Sequence, residues 1–213
     1  MKDRKSIDAS PQDSTEPRVR RDRLTHRNMH FVLDPKPHSL RASIIVGVTH
    51  RNDPGGLLRA LQSAASQDMA NECAFVVLDD SSDEEWIHVL DAALLSDPRL
   101  VIAAGRFGSP SQARNGLLDF IDQFFPSAEW VARMDADDCF AEPGSLSALV
   151  RAGNANDAQF VIGSNLLSID GTILPSANWA RAETLLDRTR LNTFIQEFCR
   201  GEAPNELLSL IHI

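Results

Sequence analysis

The chain reads as an α/β protein: a Rossmann-like, mixed but mostly parallel sheet flanked by helices. Three observations predict it. From Arg41 onward, short apolar runs alternate with amphipathic stretches. The runs at 42–48 and 74–78 are apolar on both faces, as strands covered by helices on either side are. Two runs end in acids, Asp79-Asp80 and Asp135-Ala136-Asp137-Asp138, and open α/β sheets bind ligands outside the carboxyl ends of their strands.

Taken in order, residues 1–40 mix Lys, Arg, Asp, Ser and Pro without periodicity, a composition expected to stay disordered as a leader. Asp3, Asp8, Asp13, Glu16 and Asp22 are too many acids for a transit peptide. The first strand, 42–48, is followed by Pro54, which opens a helix with Leu57, Leu58, Leu61 and Ala64 on one stripe. The second strand, 74–78, runs into Asp79-Asp80. Ser81, Ser82 and Asp83 then stand as capping candidates for a helix carrying Trp86, Val89, Leu90 and Ala93. A third strand, 100–104, leads through a Gly-rich loop at 105–110 to a helix from about Ser111 carrying Ala113, Leu117, Leu118 and Ile121. The fourth strand, 129–134, runs directly into Asp135. After Pro143 the pattern predicts a helix on Leu146, Leu149 and Val150, a strand over 159–162, a turn at Asp170-Gly171, and a helix over about 181–198. One domain over 41–207 is expected. The tail 208–213 reads as unrelated sequence at a broken end, a reading that a natural stop codon directly after Ile213 would overturn.

With 213 residues, 43% hydrophobic and 24% charged, the chain can bury one full core. A net charge of -9 and a pI near 5.1 argue against a nucleic-acid partner, since phosphate backbones are held by clustered Lys and Arg. Cys73, Cys139 and Cys199 are odd in number and in no metal-ligand spacing, so free thiols in a reducing compartment are expected. No apolar run reaches the length of a membrane span, and a cytoplasmic location is the expectation.

In an extended segment residues two apart point to one side, so Asp135 and Asp137 can aim both carboxylates at one point. Such a point suits a hard divalent cation, Mg²⁺ or Mn²⁺, with substrate phosphates and waters completing its shell. Taken alone, the tripeptide better fits a strand end that caps a turn. Of Asp79 and Asp80, one suits a cap. The other, Asp80 for preference, suits recognition of a base such as uracil, whose N–H lies between two carbonyls. Arg114 and Asn115 fall in the first turn of a helix after a Gly-rich loop, where a cation and free N–H groups can face a diphosphate. A solvated Arg is the plain alternative for Arg114.

The segments Ser43-Ile-Ile-Val-Gly-Val-Thr-His-Arg51, Ala74-Phe-Val-Val-Leu-Asp-Asp-Ser-Ser-Asp83, Ser111-Gln-Ala-Arg-Asn115 and Val131-Ala-Arg-Met-Asp-Ala-Asp-Asp138, in that order and spacing, resemble family 2 glycosyltransferases of the GT-A fold over about residues 42–175. The resemblance implies a nucleotide-diphosphate sugar donor, an acceptor glycan or other hydroxyl compound, and a Mg²⁺ or Mn²⁺ cofactor. It implies that Gly47 and Val48 line the nucleotide edge, that Asp80 meets the base, and that Arg114 lies near the nucleotide. Asp135, Ala136 and Asp137 would serve the ribose, the diphosphate and the metal, with Asp137 and Asp135 as metal ligands. Two departures stand out. Gly47-Val48-Thr49-His50 replaces the usual Pro-Thr/Ser-Tyr/Phe-Asn, without an aromatic at the third place, which leaves the base open. The acceptor half with its acidic general base would follow about residues 203–206, near where the chain stops. The expected outcome is donor binding without efficient transfer, and His50, expected as a polar surface residue at a strand end, is not read as a substitute base. A nucleotide-sugar-binding fragment without turnover is the first alternative. A Mg²⁺-dependent phosphohydrolase with Asp135 as nucleophile is the second, although Asp138-Cys139-Phe140 lacks the Thr or Ser expected after the second Asp.

Overall fold

In the computed structural model of the chain, residues 29–82, 86–161, 163, 166–169 and 172–175 are described. Five strands form one sheet in the order β1-β4-β3-β2-β5: β1 (His30–Leu33), β2 (Ile44–His50), β3 (Cys73–Asp80), β4 (Leu100–Gly105) and β5 (Trp130–Asp135). The pairs β2–β3, β2–β5 and β3–β4 are parallel, and β1 lies antiparallel on β4. The chain steps from β2 outward to β3 and β4, then returns to place β5 on the other side of β2. That reversal of strand order is the topological switch point at which such sheets open a ligand crevice.

Strand alternation divides the core. Ile44, Val46 and Val48 of β2, with Phe75, Val77, Ile102 and Met134, face the helices α1 (Pro54–Ala65) and α4 (Ser145–Ala155). Ile45, Ala74, Val76, Leu78 and Val101 face α3 (Pro110–Phe124), whose Leu117, Phe120 and Ile121 are buried. Each fully buried Leu, Ile or Phe contributes about 1.5–3 kcal/mol of transfer free energy, so both layers hold the sheet. Proline in the first turn and a side-chain cap start both crevice-facing helices: Gly56 N–H donates to Asp53 Oδ1 at 2.9 Å, and Gln112 N–H to Ser109 Oγ at 3.3 Å. Cys73 is buried at the start of β3, and burial pushes its thiol up to about 12, which makes it a packing residue.

Several expectations need correction. Residues 29–40, within the segment read as a disordered leader, are folded onto the sheet. Met29 and Leu40 are buried, and the Phe31 ring meets Phe120 and Phe124 edge-on at centroid distances of 5.5 and 5.3 Å. Four residues of strand in polar surroundings make too short a pattern to read, and pairing with β4 creates it. After β3 a 3-10 turn at Trp86–Val89 and the short α2 (Ala92–Ser96), capped by Asp91, replace the single helix expected on Trp86 to Ala93. Residues 159–161 form no strand. The antiparallel hairpin β6 (Leu166–Ile169) and β7 (Thr172–Pro175) follows instead. The turn expected at Asp170-Gly171, the helix over 181–198, Cys199 and the tail 208–213 lie outside the described residues, as do residues 1–28 of the leader.

The loop after β4 is shaped by one ring. Phe107 packs on Gly105 and Gly116, and a Cβ on Gly116 would stand 2.2 Å from Phe107 Cε1. Gly116→Ala is therefore expected to lower folding stability by about 1–3 kcal/mol through overpacking, read as a fall in the urea midpoint at unchanged slope.

Candidate functional site

The carboxyl ends of β2, β3 and β5 and the starts of α1 and α3 surround a crevice of about 330 Å³ lined by Thr49, His50, Arg51, Asp53, Asp80, Pro110, Ala113, Arg114, Asp135, Ala136 and Asp137. Parallel register aligns the strand ends: Thr49 pairs with Asp135 on one side and Leu78 on the other, and His50 pairs with Asp79. Asp80, Arg114, Asp135, Ala136 and Asp137, each singled out from sequence, meet here. Gly47 and Val48 do not. Val48 is buried in the α1-side core, and Gly47 packs tightly under α3, where a Cβ would stand 3.0 Å from Leu117 Cδ2. The edge of β2 that lines the crevice is formed two residues further on, by Thr49 and His50, because the strand reaches the crevice only at its last pair.

Asp135 is the most heavily bonded group in the crevice. Its Oδ1 accepts from Thr49 Oγ1 at 2.7 Å, Arg133 Nη1 at 2.9 Å and Arg114 Nε at 3.1 Å, while Oδ2 accepts from Arg114 Nη2. Burial pushes this carboxyl up, but the Arg114 hydrogen bonds, the Arg133 charge and the Thr49 hydroxyl outweigh it and hold it below the ordinary aspartate value. Burial likewise lowers Arg133, against the raising effect of Asp135. The Thr49 carbonyl accepts the Ala136 N–H at 3.0 Å, so β2 fixes the acidic turn through both side chain and backbone. Arg114 is the fifth residue of α3 and so lies in its second turn, not its first; Asn115 faces solvent.

Asp137 is exposed and Asp138 half-buried. With Asp135 they offer three carboxylate oxygens within 4.8 Å of one another. Burial first, then the charges of Asp137 and Asp135, push the Asp138 carboxyl above its ordinary value. This donor set, all oxygen and anionic, fits a hard divalent cation. Sequence reasoning read past Asp138, since strict alternation along a strand points it away; the chain has already left β5 there, and the turn brings it back.

The two acids at the end of β3 have separate duties. Asp79 holds the local turn, accepting from Ser82 N–H at 3.2 Å and from the Ser82 hydroxyl. Asp80 is buried, and its Oδ1 accepts the Phe107 N–H at 2.8 Å; Arg51, half-exposed, stands 3.7 Å from Oδ2. Asp80 thus ties the β4–α3 loop to β3 and keeps lone pairs toward the crevice.

His50 is a surprise. Expected as a surface residue, it is 2% exposed, edge-on to Trp86 at 4.7 Å, with Nε2 3.9 Å from Asp79 Oδ1. Among the described residues neither ring nitrogen has a hydrogen-bond partner. Burial lowers its pKa below 6.5, against the raising charges of Asp79 and Asp53. Such a group favours the fold when neutral: its contribution is complete above about pH 6.5 and is lost as pH falls from there toward the depressed folded value. The urea midpoint is expected to drop as pH falls below about 6.5, and His50→Phe, which keeps a ring against Trp86, should flatten that slope. An unchanged slope would mean that other groups carry it.

A model of glycosyl transferase family 2 matches residues 43–203, well over half of the sequence. The chain belongs to this family. Among solved structures, TarS residues 1–349 from S. aureus is 21% identical over 63% of this chain and 39% of its own, with a TM-score of 0.50. The same protein with UDP-GlcNAc matches at 21%, 63% and 37%, also at 0.50. The mannosyltransferase PcManGT from Pyrobaculum calidifontis, solved with GDP-Man and Mn²⁺, matches at 20%, 57% and 35%, with a TM-score of 0.45. The chain thus spans less than two-fifths of the length of these structures. TarS shows that the sheet order and flanking helices are those of a GT-A glycosyltransferase. No curated protein matches the chain. Among the described residues no helix is long and apolar enough to cross a membrane.

Proposed function

We propose that this chain is the donor-binding part of a glycosyltransferase that moves a sugar from a nucleotide-diphosphate donor, UDP-linked, to the hydroxyl of a glycan or other acceptor. The observation that carries the reading is the meeting of Asp80, Arg114, Asp135 and Asp137 from two strand ends and one helix in a single crevice, in a chain of family 2. In this reading Asp80 would accept a base N–H, and uracil offers one between two carbonyls. Arg114 brings positive charge to the crevice wall and so to a diphosphate. Asp137, with its acidic neighbours, would hold Mg²⁺ or Mn²⁺, which when bound supplies Lewis-acid stabilisation of charge on the leaving diphosphate.

The acceptor proton needs a base, typically worth about 10²–10⁴ in rate. His50 is not that base in this reading, because its side chain is wholly covered. In this reading Asp135 is held by guanidinium groups, Asp53 caps α1, Asp80 holds the Phe107 N–H and Asp137 serves the cation, so the base would come from the acceptor-binding part of the family. The phosphohydrolase alternative would need Asp135 as nucleophile, and its oxygens are engaged by four donors. The free thiols Cys73 and Cys139 support a reducing, cytoplasmic setting.

UDP is the probe of choice, since TarS, which shares the fold, has been solved with UDP. Calorimetric titration of UDP is expected to show binding that strengthens at least about tenfold with Mn²⁺ and loses that gain in Asp137→Ala. A folded protein that binds UDP neither with nor without Mn²⁺ would end the donor-site reading.

A further inference from the structure

Polar side chains at the end of α1 hold the loop that follows the acidic turn. Gln67, just beyond the helix, is 5% exposed, and both ends of its amide reach across the chain: Nε2 donates to the Glu142 carbonyl at 2.9 Å, and Oε1 accepts the Leu146 N–H at 2.9 Å. The second bond supplies what α4 lacks locally. Its N-cap is Gly144, which brings no side-chain cap, so the Leu146 N–H in its first turn is satisfied from another helix. Beside Gln67, the Asp68 N–H donates to the Pro143 carbonyl at 2.8 Å, and the Ser147 hydroxyl to Asp68 Oδ2 at 2.7 Å. About one turn earlier, Ser63 Oγ accepts the N–H of the buried Phe140 at 3.1 Å.

The start of the same helix meets the acidic turn itself. A Cβ on Gly56 would stand 2.7 Å from the Ala136 carbonyl oxygen, so the first turn of α1 lies directly against that backbone. Gly56 and Ser63, two turns apart, share one face of the helix. Asp137, Asp138 and Cys139 therefore form a short arch whose two feet, Ala136 and Phe140, both stand on α1. Asp137 at the top of the arch is exposed, and the feet decide where its carboxylate stands.

We propose that α1 is a splint for the acidic turn, and that Gln67 and Ser63 are positioning residues that set Asp137 from outside the crevice. This rests on the donor-site reading and adds to it two residues that touch neither nucleotide nor cation. The physical cause is the buried Leu146 N–H: without the Gln67 amide it must turn to water, and the loop that carries it moves outward with the foot at Phe140.

The test is calorimetric titration of UDP, with and without Mn²⁺, into the full chain and into Gln67→Met, Ser63→Ala and Phe31→Leu, each checked for cooperative melting. Gln67→Met keeps the length of the side chain and removes its hydrogen bonds. It should bind UDP alone within about twofold of wild type, while the tenfold gain from Mn²⁺ shrinks to about twofold or less. Ser63→Ala, which frees one foot only, should lose about threefold of the gain. Phe31→Leu weakens packing on β1, at the opposite edge of the sheet from β5, and should lower the melting temperature with the gain intact. A full Mn²⁺ gain in Gln67→Met overturns the proposal. So does a parallel loss of metal-free binding, or an equal loss of the gain in Phe31→Leu, since either would mean general loosening. If Gln67→Met does not melt cooperatively, Ser63→Ala decides, and an undiminished gain there overturns the splint. Wild-type protein that binds UDP with no Mn²⁺ gain overturns the proposal and leaves the nucleotide site standing; wild-type protein that binds no UDP in either condition ends the donor-site reading, and this inference with it.

Discussion

The Asp135 carboxylate joins three elements that are far apart in the chain. Thr49 reaches it from β2, Arg133 from within β5, and Arg114 from α3. Each of these groups would be costly to bury alone, since an isolated ion in a half-dry site forfeits its hydration. Together they satisfy one another and fix where β5 ends, how the acidic turn leaves it and how α3 is set over the switch point. A buried ion cluster of this kind is weak grounds for high stability, and its value here is geometrical: it allows one arrangement of the crevice wall.

Around that cluster the crevice sorts its carboxylates by environment. Asp79 and Asp80 end the same strand, yet one closes a local turn with Ser82 and the other holds the backbone of the Phe107 loop. Asp135 is held below the ordinary aspartate value by guanidinium neighbours, whereas Asp138, three residues on, is pushed above it by burial and by the acids beside it. Identical side chains thus differ in proton affinity through surroundings alone. In the proposed donor site this leaves the exposed end of the turn for a cation and the Arg114 side for an anion, a separation that suits a metal-bridged diphosphate.

The hydrophobic layers make that precision possible. Ile44, Val46 and Val48 on one face and Ile45 and the close-packed Gly47 on the other leave β2 no freedom to slip, since a shift of one residue would exchange its two faces. Thr49 and His50 are carried to the crevice by this register. Phe107, seated on Gly105 and Gly116, does the same for the loop that starts α3.

The sequence by itself determined the alternation of strands and helices, the acids at two strand ends, and four ordered motifs specific enough to identify the family. These are local properties, written in periodicity, capping residues and spacing. Tertiary structure decided what depends on neighbours distant in the chain. The strand at His30–Leu33 exists through its pairing with β4 and the rings of Phe120 and Phe124, so no local pattern announces it. Gly47 and Val48 proved to be packing residues, because the length of β2 relative to the sheet edge, invisible in its composition, sets which residues emerge. His50 looked like a surface residue and is buried against Trp86. The hydrogen bonding of Asp135 requires Thr49, Arg114 and Arg133 to converge from two strands and a helix, and only the folded chain brings those donors within reach.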